Sequence, residues 1–467
     1  MSFFIRNNKE PGKLKRKFNG NSEGSKKFAS KGKKRNVKNN KDDDESIASS
    51  DEEFAEQRNK GLEEDYDDDE EEEETAQEKR LRLAKKYLQE IEEEEKDRED
   101  FEKGGIARRL HEEYLEEKGR LKRTVASNYT GHGETIILKC KYHRETITCL
   151  CLSSDGKFLF SGSKDGTIVK WCLADKSKVK ILKGKRTKND NGIKCVECMA
   201  ISTDSKFVVV GDKATKNITV LSGDDLSHIK YLQGHRGMVT GLVFRKNTHT
   251  LYSASKDASV KVWNLDDMAY VESLFGHGSA ITSIDALSRE RAVTSGGLDG
   301  SIRIWKIVEE SQLIFNGHGG SIDTVKLINE ENFLSGGDDG QLSVWGCLKK
   351  KPLCSYPEAH GKNPENGLPN WISSIATLLN TDLVASASFS GSNSGVIRLW
   401  QCEESFRKIK PLFDVKVEGF INSLTFTPDG NYLIAAVGKE HRLGRWWHLS
   451  EPKNGIVLIP LNQKQSK

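Results

Sequence analysis

Histidine, serine and aspartate, the side chains from which hydrolytic triads are built, occur together at several places in this chain: His235 with Ser253 and Asp257, His277 with Ser295 and Asp299, His318 with Ser335 and Asp339. A nucleophilic site needs one such trio, free to face a substrate. Here the trio recurs, and each Asp is followed six residues later by a tryptophan, Trp263, Trp305 or Trp345. Recurrence assigns these residues to a repeated unit. No such trio stands outside the repeat, so the chain is read as a binding scaffold and not an enzyme, with no cofactor.

Other chemistry is equally thin. Cys195 and Cys198 form a CVEC, but no second CxxC or paired histidine lies at zinc spacing, and KCVECMAIS reads as a strand. No metal site is expected. The nine cysteines read as reduced and structural, Cys149 and Cys151 lying on one face of a strand. The turns GSKDGT and GGLDGS lack the GK[ST] ending of a phosphate-cradling loop.

The elements that hold these residues are set by a seven-fold repeat between His143 and Leu449, clearest as GHRGMVTGLVFRKNTHTLYSASKDASVKVWN from Gly234 to Asn264. Closing aromatics fall at Trp171, Trp263, Trp305, Trp345, Trp400 and Trp447, with Leu221 in the equivalent place of the second unit, giving steps of 50, 42, 42, 40, 55 and 47 residues. Within a unit, short runs alternate with period two between turn residues, the signature of four antiparallel strands. One such sheet cannot cover both of its apolar faces, whereas seven stacked around an axis can. The unit resembles a WD40 repeat, and the fold class is all-β: a seven-bladed WD40 β-propeller over residues 131–461, ahead of a tail at 462–467.

That resemblance implies a hydrogen-bonded tetrad in which Asp orients His, His bonds Ser, and Ser bonds the Trp indole. The tetrads are His235, Ser253, Asp257 and Trp263; His277, Ser295, Asp299 and Trp305; His318, Ser335, Asp339 and Trp345. The first unit places His143, Ser161, Asp165 and Trp171 likewise. The second has Thr215 and Leu221 where Asp and Trp belong, the sixth Ser394 and the seventh His441 at the Asp place. GIVLIPL at 455–461 is expected as the outer strand of the last blade, with TIILKC at 135–140 beside it.

Ahead of the repeats the composition changes character. Residues 1–40 hold thirteen Lys or Arg against two Glu, a net of +11, and residues 41–74 hold nineteen Asp or Glu against three Lys or Arg, a net of −16. Neither block can bury a core, so a disordered basic arm and a disordered acidic tract are expected. Residues 75–123 read as a charged helical docking segment: Thr75 and Glu78 form a capping box, Leu81, Leu83, Ala84, Leu88 and Ile91 fall mostly on one face, and after Gly104 and Gly105 a second helix runs from about Ile106 to Lys122. KLKRK at 13–17 and KGKKR at 31–35 read as nuclear or nucleolar targeting. Ser49 and Ser50 precede DEE and resemble an acidic-directed kinase site. No apolar run approaches the length of a spanning helix, so no membrane is expected.

In WD40 proteins one face of the ring is built by the loops carrying the GH and the Asp turn. On those loops fall Lys185, Arg186 and Lys188 before unit two, Lys213 and Lys216 in its turn, Arg236 and Lys256 in unit three, and Lys439 and Arg442 in unit seven. Such a ring suits a phosphate backbone, with Trp371 as a stacking platform. TAQEKRLRLAKKYL, GHGGSIDTVKLINEENFLSGGDDGQLSVWG, LLNTDLVASAS with VIRLWQC, and above all GKEHRLGRWW at 438–447 resemble the U3 small nucleolar RNA-interacting protein 2 family. The resemblance covers Thr75 to the C-terminus. SFSGSNSG at 388–395 departs from it by lengthening a turn. It implies a nucleolar scaffold that binds U3 small nucleolar RNA at box B/C with the kink-turn-binding core protein, joins other U3 ribonucleoprotein and processome proteins and supports small-subunit ribosomal RNA processing; no homo-oligomer is expected. From the residues alone, a nuclear WD40 adaptor reading a histone or ubiquitin-ligase substrate peptide is the alternative.

Overall fold

The computed structural model describes residues 79–83, 85–87, 110–115, 119–184, 192–363, 367–390, 394–444 and 448–464. The two arms, Thr75, Glu78 and Trp447 lie outside them, as do Lys185, Arg186 and Lys188.

Two units divide the chain at Lys86. In the first, the described residues from Lys79 are helical, and Leu81 and Leu83 are exposed. In the second, the described residues 110–115 are helical and 119–122 are not, so helix does not reach Lys122. Gly119 takes a φ of +65°, and the amides of Arg120 and Leu121 turn back to the carbonyl of Leu115. A left-handed glycine is a common helix terminator, which accounts for the non-helical chain between Gly119 and the expected boundary at Lys122.

Seven antiparallel sheets follow. The innermost strands of blades one to six are Ile147–Leu152, Val196–Ile201, Val239–Phe244, Ile281–Ala286, Ile322–Leu327 and Ile372–Thr377. Each blade adds three further strands outward, and burial falls along the way: the inner strand of blade one is buried over Ile147–Leu150, whereas four of six residues of its outer strand Ser177–Leu182 are exposed. The seventh blade is assembled differently. Its strands Phe420–Phe426 and Tyr432–Gly438 are followed by Gly455–Gln463, and the outer place is filled by the first strands among the described residues, Tyr129–His132 and Ile136–Leu138. Gly455–Gln463 is therefore the third strand of the blade and not its outer one, with the N-terminal segment on its far side, Ile136 facing Leu458 and His132 facing Leu461. An outer strand drawn from residues 129–138 ties the two ends of the propeller together. Residues 439–454 are an insertion between the second and third strands, so the third strand begins at Gly455, later than the repeat spacing suggested, and Trp447 lies outside the described residues.

The core is a ring of seven apolar clusters, each between neighbouring blades. Cys149, Phe160 and Ile168 meet Val196, Val208 and Leu221 between blades one and two. Leu138, Ile147 and Trp171 meet Ile434 and Ile456 where blade seven returns to blade one. Leu221 fills the tryptophan place of the second blade and is 1% exposed. It packs in one cluster with Ile193, Val208, Val210 and Leu226.

One irregularity repeats around the ring. In every blade the innermost strand skips a residue in pairing with the second strand: Thr148, Glu197, Thr240, Thr282, Asp323, Ser373 and Asn422. A bulge re-aims the skipped side chain. Five of the seven donate to the next blade: Thr148 to the Val196 carbonyl at 2.8 Å, Thr240 to Ile281 at 2.7 Å, Thr282 to Ile322 at 2.6 Å, Ser373 to Ile421 at 2.8 Å and Asn422 to Ile147 at 2.9 Å.

On the opposite face the chain from Leu121 to Asn128 crosses blade six. Arg123 pairs with Thr381, and one Asp382 oxygen accepts from the amides of Val125 and Ala126 at 2.7 and 2.9 Å.

Candidate nucleic-acid interface

The loops of the Asp-turn face are held from below by the tetrads. In blade three His235 Nδ1 lies 3.1 Å from Asp257, its Nε2 2.7 Å from the Ser253 hydroxyl, and the Trp263 indole donates to that hydroxyl at 2.8 Å. A carboxylate only accepts, so Nδ1 carries the proton, and the Ser hydroxyl donates to Nε2 while accepting from Trp. The same Asp257 oxygen takes the amides of Arg236 and Gly237, at 2.8 and 3.3 Å. Blade five repeats the arrangement, with His318 3.0 Å from Asp339 and 2.6 Å from Ser335, and Trp345 2.7 Å from Ser335.

Blade four departs by one residue. His277 bonds Asp299 at 2.8 Å, but its Nε2 and the Trp305 indole both meet Thr294, at 2.7 and 2.8 Å. Ser295, the expected member, bonds Thr282 instead at 2.8 Å. The hairpin in this blade is one residue longer, so the position paired two beyond the tryptophan's partner moves from ten residues before Trp to eleven.

The other blades are incomplete in different ways. In blade one Ser161 lies 2.9 Å from both His143 Nε2 and the Trp171 indole, but Asp165 accepts from the Arg144 amide and leaves His143 Nδ1 without a partner. Burial pushes His143 down to about 4. Blade six keeps His360, Ser386 and Trp400 with bonds of 2.7 and 2.8 Å and has no Asp; Arg398 donates to the Ala359 carbonyl just before the histidine while pairing with Asp414. His360 Nδ1 is also unpartnered, and burial holds this ring at about 3. In blade two the turn carboxylate is Asp212, which accepts from Lys194, Cys195, Ala214 and the Thr215 hydroxyl. Sequence reading placed Thr215 at the Asp position; the carboxylate three residues earlier holds the loop.

The basic candidates separate into two sets. Lys216, Arg236 and Lys256 are exposed on the turns of blades two and three. Lys213 is half-buried, its Nζ 3.9 Å from the Glu197 carboxylate. Arg442 turns into the central channel, a space of about 370 Å³, which it lines together with Glu197. Its Nε is buried without a hydrogen bond. Lys439 is half-buried at the start of the insertion, its amide on Asn454. Trp371 is half-buried and stacked on His441, ring centres 4.9 Å apart and planes 24° from parallel, so one face of the platform is already covered. Lys164, which the repeat pattern did not single out, is buried and donates to the carbonyl of His441 at 2.6 Å and of Gly444 at 3.3 Å. His441 itself is buried, which with the charges of Arg442 and Lys164 holds it near 3.

Burial pushes the thiols of Cys149 and Cys195 up to about 12 and 11 and that of Cys198 well above its usual range, the reverse of what a metal-binding thiolate needs.

Residues 128–172, 226–264, 269–306 and 309–346 match the WD domain, G-beta repeat family. The chain is 48% identical over 397 residues to human (Homo sapiens) U3 small nucleolar RNA-interacting protein 2, covering 83% of this chain and 82% of that protein. It is 26% identical over 465 residues to ribosomal RNA-processing protein 9 of Saccharomyces cerevisiae, covering 78% and 80%. Its fold follows the solved structure of U3-55K with a TM-score of 0.66 at 47% identity, over 73% of this chain and 100% of that one.

Proposed function

This chain belongs to the U3 small nucleolar RNA-interacting protein 2 family, and from that membership we propose that it is a non-catalytic scaffold of the U3 small nucleolar ribonucleoprotein, acting in ribosomal RNA processing in the nucleolus. The observation that carries this reading is identity of 48% over four-fifths of both chains with a protein named for its interaction with U3 RNA. The finer reading is that the Asp-turn face holds the backbone of U3 box B/C RNA beside the kink-turn-binding core protein. Two features support it. Exposed Lys216, Arg236 and Lys256 stand on turns of one face, and Asp257 fixes the amide of Arg236 so that its side chain leaves a rigid loop. A cationic group on a rigid loop contacts phosphate with little ordering cost. Lys185, Arg186 and Lys188 lie outside the described residues, in the stretch of sequence that leads into blade two.

Base specificity then comes mainly from RNA shape, since a bent RNA with a protein already bound presents a preformed surface. The test is an electrophoretic titration of the full chain against U3 box B/C RNA, with and without the kink-turn protein. Binding tighter than to a scrambled stem, and tighter still with the kink-turn protein, is expected. Equal binding to both RNAs contradicts the reading. Deleting residues 1–40 is expected to reduce nuclear accumulation of the chain while its melting temperature stays level; unchanged accumulation assigns the address to another segment.

A further inference from the structure

Of the seven residues skipped by the inner strands, two cannot make the inter-blade bond as carboxylates: Glu197 and Asp323. The carbonyl that a hydroxyl at 197 would serve, that of Val239, accepts from the Cys198 thiol at 3.6 Å. Glu197 is 1% exposed, and neither carboxylate oxygen has a hydrogen-bond partner. An isolated buried carboxylate is costly and needs compensating charge. What surrounds it is cationic, and one of the cations comes from another blade. Arg442 of the blade-seven insertion lines the same channel, and Lys213 of the blade-two turn approaches to 3.9 Å.

The insertion above is tied down at its start. The Glu440 amide donates to Thr146, the Arg442 amide to Asn422 at 2.8 Å, and Lys164 reaches up to the His441 and Gly444 carbonyls. All of these partners sit on blades one and seven. Among the described residues of the insertion, His441 also stacks on Trp371 ahead of blade six, and the Arg442 side chain lines the channel itself.

We infer that Glu197 is a positioning residue of the Asp-turn face: its buried charge draws the Arg442 guanidinium into the channel and so presets the 439–444 loop over the mouth. Asp323, at the same place in blade five, is acted on by the same guanidinium, which opposes the upward push of burial on both acids. The inner ring thus gives up two neutral inter-blade bonds and gains a charged anchor for a loop that begins on another blade. This rests on the RNA reading only for its consequence; the anchoring itself is a property of the free protein.

The experiment follows amide hydrogen exchange in the free full-length chain carrying Glu197→Thr, which restores the hydroxyl found at Thr148, Thr240 and Thr282, and separately Glu197→Gln, which keeps the size. Both are expected to speed exchange of the hydrogen-bonded amides of Glu440, Arg442 and Gly444 by about tenfold while Val208–Val210 exchange as in the parent. Arg442→Met is expected to do the same, and the double variant no more than either single one, because each removes one of the two charges whose attraction across the channel holds the loop. The melting temperature of Glu197→Thr should hold or rise, since a buried unpaired acid is replaced by a paired hydroxyl. Affinity for U3 box B/C RNA should fall about threefold to tenfold in all three. Parental exchange of the loop in both Glu197 variants, or effects of Glu197 and Arg442 that multiply, overturns the anchor. Faster exchange with unchanged RNA affinity leaves the anchor standing and removes this loop from the RNA surface.

Discussion

Blades three to five and blades one and six use the same histidine in different electrostatic states. In the former an Asp reaches the ring, both nitrogens are satisfied, and the loop amides share the same carboxylate. In the latter the Ser and Trp remain but Nδ1 is orphaned, and burial keeps the ring neutral far below its ordinary pKa. The tetrad Asp therefore has two separable tasks, fixing the loop and orienting the histidine. Blade one retains only the first, through the Arg144 amide; in blade six an Arg398 bond to the loop carbonyl stands in for it.

The sharpest break of that comparison is Thr294→Val, which leaves both His277 and Trp305 without their shared partner and is expected to cost about 2 to 3 kcal/mol in denaturant unfolding. Ser295→Ala beside it should cost well under half as much; equal losses would mean the tetrad does not run through Thr294. Next in size, Asp339→Ala should cost about 1 to 3 kcal/mol, since a buried histidine and a loop amide lose one acceptor, whereas Asp165→Ala, which serves no histidine, should cost about 1 kcal/mol. Equal costs would erase the distinction between the two classes of blade.

A smaller effect is read against pH. His143 and His360 have folded pKa values near 4 and 3, below the ordinary value of about 6.5 for an unfolded chain, so protonation favours the unfolded state. Their contribution is whole above about pH 6.5 and is lost as pH falls from there towards those folded values. His360→Gln should therefore flatten the decline in melting temperature between pH 6.5 and 4. A slope equal to the parent's would show that this ring does not titrate on unfolding.

Much of this was legible because propeller blades are local: strand alternation, GH, Asp turn and Trp lie within one unit, so periodicity alone places His235, Ser253, Asp257 and Trp263. The misplacements arise where pairing is not local. A one-residue longer hairpin shifts Ser295 out of register in favour of Thr294. The 439–454 insertion puts Trp447 at a plausible repeat step while the third strand waits until Gly455. Ring closure pairs residues more than 300 positions apart, which no window of sequence displays. At the candidate interface, residue type showed where positive charge is carried but not its direction. Lys213, Arg442 and Lys164 carry long flexible side chains on loops of the Asp-turn face and point inward to Glu197, the channel and the insertion carbonyls, because a buried acid and open carbonyls lie within reach.

The central claim, that the exposed cations of this face hold RNA backbone, is tested most directly by the salt dependence of U3 box B/C affinity for the parent and for a Lys216→Ala, Arg236→Ala, Lys256→Ala triple variant. All three side chains are exposed, so the melting temperature should be unchanged. Each lost phosphate contact should remove about 0.7 to 0.9 from the slope of log K against log salt, lowering affinity across RNA sequence variants alike. A triple variant with parental slope and parental affinity would contradict the claim.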